Sequence, residues 1–269
     1  MTICIAVTGS SGFVGTKAIP YLRQCGYDVH SLKRNSKEDL RGVTAVVHLA
    51  WPSRDATTEE CQEANRFTSN LLARARDANV RQFVFISSIA AQTSGVSDRV
   101  LTETDPPKPT SPYGQGKLDA EKIVTDSGVP FTILRPVAIS SPNAKGNLRL
   151  LQKIAKLPVP LPLGGLRSKR SIVLMENFNL AVKTVLANDA AIGETFIVSN
   201  PQPQTVGEIV AGYRAEAGRP PGIFYFPPAP MHLIFKATGR IEMWERLNGQ
   251  LIVSPAKLMS IGWQPEPQR

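Results

Sequence analysis

Tyr113 and Lys117 stand four residues apart in the run Ser111-Pro112-Tyr113-Gly114-Gln115-Gly116-Lys117, a spacing that sets both on one face of a helix. A tyrosine is a poor base near neutral pH. An ammonium one turn away favours the phenolate and can also hold a cofactor ribose, while a serine hydroxyl at a neighbouring strand end can orient the reacting hydroxyl. Ser87 and Ser88 follow the strand-like run Phe83 to Ile86, and Ser88 lies 25 residues before Tyr113. Either serine stands at the strand end where such a hydroxyl would act.

A second constellation points to a dinucleotide. The apolar run Ile3 to Val7 leads straight into Thr8-Gly9-Ser10-Ser11-Gly12-Phe13-Val14-Gly15, a G-x-x-G-x-x-G loop expected to open a helix near Gly12. Gly9 permits the sharp turn, Gly12 lets the backbone approach a pyrophosphate, and Gly15 lets the helix pack closely, while the free N–H groups of the helix start face the anion. At the end of the second strand, an acidic residue would accept from a ribose 2′-hydroxyl and repel a 2′-phosphate. Here the sequence reads Lys33-Arg34-Asn35, and with Ser10 and Ser11 nearby this favours NADP over NAD.

The elements that must carry these groups are six short apolar runs: Ile3 to Val7, Val29 to Leu32, Ala45 to Leu49, Phe83 to Ile86, Phe131 to Leu134 and Phe196 to Val198. Their nearly continuous hydrophobicity predicts parallel strands covered on both faces. The stretches between them have helical spacing, as in Leu71, Leu72, Ala75 and Ala78. Alternation of this kind predicts an α/β fold, a Rossmann-like doubly wound parallel sheet with right-handed crossovers. Pro20, two turns into the first helix, predicts a kink. From about Ser140 the texture turns to prolines, basic residues and isolated apolar clusters. The expected division is a dinucleotide-binding part over residues 1–140, rejoined by 171–199, and a small substrate-binding region over 141–170 and 200–269.

Composition narrows the class. The chain has 269 residues of which 42% are hydrophobic, enough for a core without staples. Cys4, Cys25 and Cys61 are odd in number and irregular in spacing, which suggests neither a disulfide framework nor a metal site and fits a reducing, cytoplasmic setting. The apolar opening is too short for a signal peptide, and no stretch reaches the roughly 18 apolar residues of a membrane span. The net charge of +9 comes without nucleic-acid motifs, so no nucleic acid is expected; a solvated basic surface or an anionic small ligand accounts for it. The markedly apolar run Ile223 to Phe226 and Met231 to Phe235 is read as core or lid, with lipid contact as the alternative.

Taken together, the glycine loop, Ser88 and the Tyr113/Lys117 pair resemble the extended short-chain dehydrogenase/reductases, and within them the NAD-dependent epimerase/dehydratase family. Further pieces agree: His48-Leu49-Ala50 followed by Trp51, Asn65, Leu134-Arg135-Pro136-Val137, Gly146-Asn147-Leu148, Arg170-Ser171-Ile172-Val173 and Ile261-Gly262-Trp263-Gln264-Pro265. The resemblance implies that Tyr113 is the acid/base, Lys117 its partner and ribose anchor, and Ser88 the hydrogen bond to the reacting oxygen. It implies cofactor contacts from Gly9 through Gly15, including Phe13 and Val14, and from Lys33, Arg34, Leu49, Ala50, Trp51, Asn65, Ser87, Pro136 and Val137. His48 is expected to pack beside the cofactor rather than act as a base. Asn147, Arg170 and Arg246 match the groups that hold the diphosphate of a nucleotide sugar.

The likeness is to bacterial nucleotide-sugar 4-epimerases, in which a C4 hydroxyl is oxidised and re-reduced on the other face. The alternatives are a net reductase or dehydrogenase on a sugar or other carbonyl compound, and a non-catalytic dinucleotide-binding sensor. Relatives carry a third strand after the second, but the twelve residues from Lys33 to Thr44 cannot supply a helix, a strand and another helix. The second strand should therefore be an edge. By the same resemblance a homodimer is expected, through helices near Thr58 to Asn79 and Tyr113 to Ser127.

Overall fold

Strands form where the sequence alternates short apolar runs with helical segments. In the computed structural model, which describes residues 3–33, 39–142, 144 and 146–267, the side chains of residues 147, 242 and 246 lie outside the description. The first half runs β1 (Cys4–Thr8), α1 (Gly15–Gln24), β2 (Asp28–Leu32), β3 (Ala45–His48), α2 (Thr58–Asp77), β4 (Gln82–Ile86), β5 (Val100–Leu101), α3 (Pro112–Thr125) and β6 (Phe131–Pro136). The second runs β7 (Ala138–Ser140), α4 (Gly146–Ala155), β8 (Lys169–Arg170), β9 (Ile172–Leu174), α5 (Met175–Leu186), β10 (Glu194–Val198), β11 (Gln204–Thr205), α6 (Val206–Glu216), α7 (Pro228–Ala237), α8 (Ile241–Asn248), β12 (Ile252–Val253) and α9 (Ala256–Ser260).

The six predicted strands form one parallel sheet in the order β10-β6-β4-β3-β1-β2. Its central members are buried along their whole length because helices cover both faces. One face packs on α1 and α5 through Ile5, Val7, Leu22, Val84, Phe178 and Phe196. The other packs on α2 and α3 through Val46, Leu71, Phe83, Phe85 and Val124. In α2 the buried residues Cys61, Ala64, Thr68, Leu71, Leu72 and Ala75 follow one helical stripe, and Thr57 and Glu60 close its N-terminus as a capping box.

As expected, β2 is an edge: among the described residues it pairs with β1 alone. The short crossover is anchored by Leu40, buried in the α2/α3 face, and by Thr44, whose N–H donates to the Cys4 carbonyl at 2.9 Å. One local expectation differs. The first helix begins at Gly15, not near Gly12, because residues 10–14 are spent in turns. It then runs through Pro20 without a break; the residue is exposed, where water can serve the carbonyl its missing N–H leaves unbonded.

A separate cluster holds the appended region together, with Leu148, Leu151, Leu163, Leu166, Val206, Ile209, Val210 and Trp244 at its centre. Of the three short ladders, β8 with β11 lies within this region, β7 with β9 lies outside it, and β5 with β12 joins it to the rest. The chain end returns to the sheet. Trp263 is fully buried and donates its indole N–H to the Asn177 carbonyl at 3.1 Å, while the Asn177 side chain bonds both backbone groups of Glu266. The apolar run 223–235 is not core as a whole. Met231 and Phe235 pack inward, but Phe224, Tyr225, Leu233 and Ile234 are exposed. Since Trp263 fills the core between α5 and the tail, Trp263→Ala should cost about 3–5 kcal/mol, read as a lower urea midpoint; an unchanged midpoint would show that the tail is not part of the cooperative fold.

Candidate active site at the carboxyl ends of the strands

The glycine loop is shaped by close backbone approach. Gly9 has φ +71° and passes so near Leu49 and Ala50 that a Cβ would lie 2.7 Å from the Ala50 nitrogen. At Gly15 a Cβ would lie 2.3 Å from the Gly9 carbonyl oxygen, so this glycine seats the helix start on the loop itself. Behind the loop, His48 ties three elements together. Thr68 donates its hydroxyl to the Ala64 carbonyl and so accepts from His48 Nε2 at 3.0 Å. That leaves Nδ1 to accept from the Thr8 hydroxyl at 2.6 Å, and Thr8 Oγ1 in turn accepts from the Ala50 N–H at 3.2 Å. His48 is thus a buried strut beneath the loop, as expected of a packed neighbour. Trp51 Nε1 and Asn65 Oδ1 are buried without a hydrogen-bond partner. Orphaned groups of this kind, with a glycine cradle that no Cβ could share, fit a bound dinucleotide.

Helix α3 carries the expected pair. Ser111 caps it by accepting from the Gly114 N–H, and Pro112 opens it. The glycines between Tyr113 and Lys117 exist for packing. A Cβ on Gly114 would lie 2.3 Å from the Ala90 carbonyl oxygen, and one on Gly116 would lie 2.6 Å from Cys61 Cβ on α2. Lys117 is buried, and its ammonium donates to the Ile86 carbonyl at 2.6 Å while lying 4.0 Å over the Trp51 ring and 4.6 Å over Phe85. Burial pushes it well below the ordinary lysine value of 10.5, and the nearby Glu121 carboxylate opposes that only in part.

The two serines point to different tasks. Ser88 accepts from the Ala90 N–H at 3.2 Å, and its hydroxyl is one of the groups that lower the phenol of half-buried Tyr113. Ser87 donates to Glu121. Burial raises the Tyr113 phenol above its ordinary 10.0; the Arg54 guanidinium, 6.0 Å from the ring centroid, and the Ser88 hydrogen bond pull it back down. The ammonium expected to favour the phenolate is instead turned to Ile86, and the cation over the tyrosine ring is Arg54, a residue that no motif marks.

A buried network beneath the pair was also silent in the sequence reading. Arg135 grips Glu121 with two parallel bonds, Nε to Oε1 at 2.9 Å and NH2 to Oε2 at 2.6 Å, and its NH1 donates to Gln92 at 3.1 Å. Gln92 passes the connection on to the carbonyls of Thr102 and Asp105. Pro136 and Val137 follow Arg135 at the end of β6, with Val137 buried. The signal for the network was present as Glu121, four residues beyond Lys117, and as the arginine within Leu134-Arg135-Pro136-Val137.

On the substrate side, Arg170 is half-buried; its Nε has no partner, and one NH2 contact reaches the Glu245 carbonyl at 3.3 Å. It therefore keeps donors in hand. Lys33 and Ser11 are exposed and Ser10 half-buried around the loop. Arg34 and the side chains of Asn147 and Arg246 lie outside the described residues. Far from this end of the sheet, Cys4, Asp28 and His30 bring a thiol, a carboxylate and an imidazole within 4.8 Å of one another, a grouping invisible to cysteine spacing.

The profile of the NAD dependent epimerase/dehydratase family matches residues 5–199. A UDP-glucose 4-epimerase of Vibrio cholerae is 29% identical over 297 residues, covering 97% of this chain and 90% of that protein. The structure of UDP-N-acetylglucosamine 4-epimerase from Bacillus cereus has a similar fold, with a TM-score of 0.79 at 19% identity over 99% of this chain and 95% of that one. So has RMD from Pseudomonas aeruginosa complexed with NADPH, with a TM-score of 0.71 at 22% identity over 98% and 94% of the two chains.

The buried ammonium sets a stability test. The unfolded chain keeps the Lys117 proton up to about 10.5, whereas the folded site releases it at a lower pH. Between those two values the unfolded state holds the extra proton, so stability climbs with pH; below the folded value the penalty is constant. Lys117→Met should therefore raise the melting temperature of the ligand-free protein at pH 7, with a gain that shrinks as the pH nears the ordinary lysine value. A variant less stable than wild type at every pH would mean that the ammonium is fully satisfied where it lies.

Proposed function

Since the chain belongs to the NAD-dependent epimerase/dehydratase family, we propose that it inverts C4 of a nucleotide sugar with Tyr113, Lys117 and Ser88 at the reacting centre. The observation that carries this is the placement of Tyr113 one turn of α3 from the buried Lys117, with Ser88 among the groups that lower the Tyr113 phenol. A bound NAD(P) supplies the hydride acceptor and donor. Gly9 to Gly15, with Leu49, Ala50, Trp51, Asn65, Pro136 and Val137, would hold it, and Lys117 would release the Ile86 carbonyl to anchor its ribose. Tyr113 Oη then exchanges a proton with the C4 oxygen, taking it as the hydroxyl becomes a carbonyl and returning it on reduction. Ser88 steadies that oxygen. Asn147, Arg170 and Arg246 would hold the substrate diphosphate, a task suited to the planar guanidinium fork.

A second reading, a net carbonyl reductase, is favoured by one feature. Burial raises the Tyr113 phenol, so the resting protein holds a proton donor ready for a carbonyl oxygen. The open edge at β2 points the same way, because a less enclosed adenine is held less tightly and a net reductase must exchange its cofactor every turnover. Tyr113→Phe separates catalysis from binding: turnover of UDP-glucose to UDP-galactose, or of the N-acetyl pair, should fall by about 100-fold or more with cofactor affinity unchanged. Near-normal turnover would remove Tyr113 from the mechanism. Interconversion without net cofactor change marks the epimerase, and stoichiometric NAD(P)H consumption marks the reductase.

We further propose a preference for NADP(H), resting on Lys33-Arg34 after β2 and on Ser10 and Ser11. Titration of the ligand-free protein with both cofactors at two ionic strengths should show tighter NADP(H) binding that weakens with salt and in Arg34→Ala. Equal or tighter NAD(H) binding, insensitive to that substitution, would end the assignment.

A further inference from the structure

The charge of the molecule is divided. Residues 141–170 contain seven Lys and Arg and no Asp or Glu, and with residues 200–269 they account for the whole formal charge of +9; the sheet-bearing remainder is neutral. The same basic region presents an apolar surface. In α7 the outward positions Pro230, Leu233, Ile234 and Ala237 follow the i, i+3, i+4, i+7 stripe of one helix face. All four are apolar, the reverse of an ordinary surface helix. Leu233 is 64% exposed and Ile234 59%, while the opposite side of the helix rests on Trp244 through His232 and Phe235.

The stripe is continuous in the backbone with two further apolar loops. Leu161 donates to the Gly222 carbonyl and accepts from the Phe224 N–H, and Gly164 donates to the Phe224 carbonyl. These bonds join the exposed Leu157 and Val159 to the exposed Phe224 and Tyr225, immediately before α7. The loops are held rigidly. Buried Arg214 donates to the carbonyls of Ala155, Leu157, Val159, Pro221 and Gly222, and Gly222 is required there because a Cβ would lie 2.1 Å from the guanidinium. Exposed Arg149, Lys153 and Lys156 precede the first loop, Arg219 bonds the Lys156 carbonyl, and exposed Lys236 and Arg240 end the α7 segment.

We propose that this face docks on an anionic lipid bilayer, with Phe224, Tyr225, Leu233 and Ile234 entering the interface and the flanking Lys and Arg meeting the headgroups. An apolar stripe bordered by cations is the pattern that lies in a membrane surface plane. No helix among the described residues is long and apolar enough to cross a membrane, so the attachment is to one leaflet. The proposal does not depend on which sugar or carbonyl the active site takes.

Vesicle sedimentation tests it with the full chain. Phosphatidylglycerol-rich vesicles should carry the protein down, phosphatidylcholine vesicles should not, and Leu233→Glu/Ile234→Glu should abolish the binding while leaving the melting temperature and cofactor affinity at wild-type values. Lys153→Ala/Lys156→Ala, which leaves the apolar stripe intact, should weaken it by about 10–30-fold. No binding to anionic vesicles overturns the proposal. So does a wild-type dimer in solution that the glutamate pair converts to monomer, since a second copy would then cover the stripe.

Discussion

Two cations compete for one buried carboxylate, and the outcome shapes the site. Glu121 stands one turn beyond Lys117 on α3 and faces Arg135 on β6, with all three buried. Arg135 wins because its fork matches both carboxylate oxygens at once. Ser87 adds a third donor and Gln92 takes the remaining arm of the arginine, so no member of the network is left half-satisfied, the condition under which such a buried pair is tolerated. Lys117 is left with a backbone carbonyl and two aromatic faces. Burial depresses its proton affinity, and Glu121, already gripped by Arg135, offsets that only in part.

The same network places the two serines. Neighbours on an extended backbone point to opposite sides, so once Ser87 turns into the core toward Glu121, Ser88 faces the cleft and meets Tyr113. A helix anchored by a bidentate ion pair from the central sheet can hold its first turn, where Tyr113 lies, against strand ends that belong to other elements. The glycines at 114 and 116 are the local counterpart, since they let α3 approach the turn after β4 on one side and α2 on the other.

The sheet was legible because each strand is a continuous apolar run, and a buried parallel strand needs nothing else. The glycine loop and the Tyr113/Lys117 spacing were legible because their geometry is local. What escaped was long-range or rested on a single side chain: Arg135 is 14 residues from Glu121 and 43 from Gln92, and Arg54 reaches Tyr113 from an irregular loop. The helix start slipped from Gly12 to Gly15 because turn residues and a first helical turn look alike in sequence. The run 223–235 was legible in part: hydrophobicity alone does not separate Phe235, which packs inward, from Leu233, which is exposed.

The side of β2 that no strand covers among the described residues has a consequence for the behaviour of the chain among its own copies. A free strand edge is a row of open N–H and C=O groups that can template pairing with another molecule. Here the row is five residues long, and Asp28, His30 and Ser31 along it are exposed, the first two paired at 3.0 Å. Intermolecular sheet growth from that edge would have to strip water from these polar and ion-paired side chains. The polar dressing of β2 guards against aggregation where a shortened crossover has removed the covering strand.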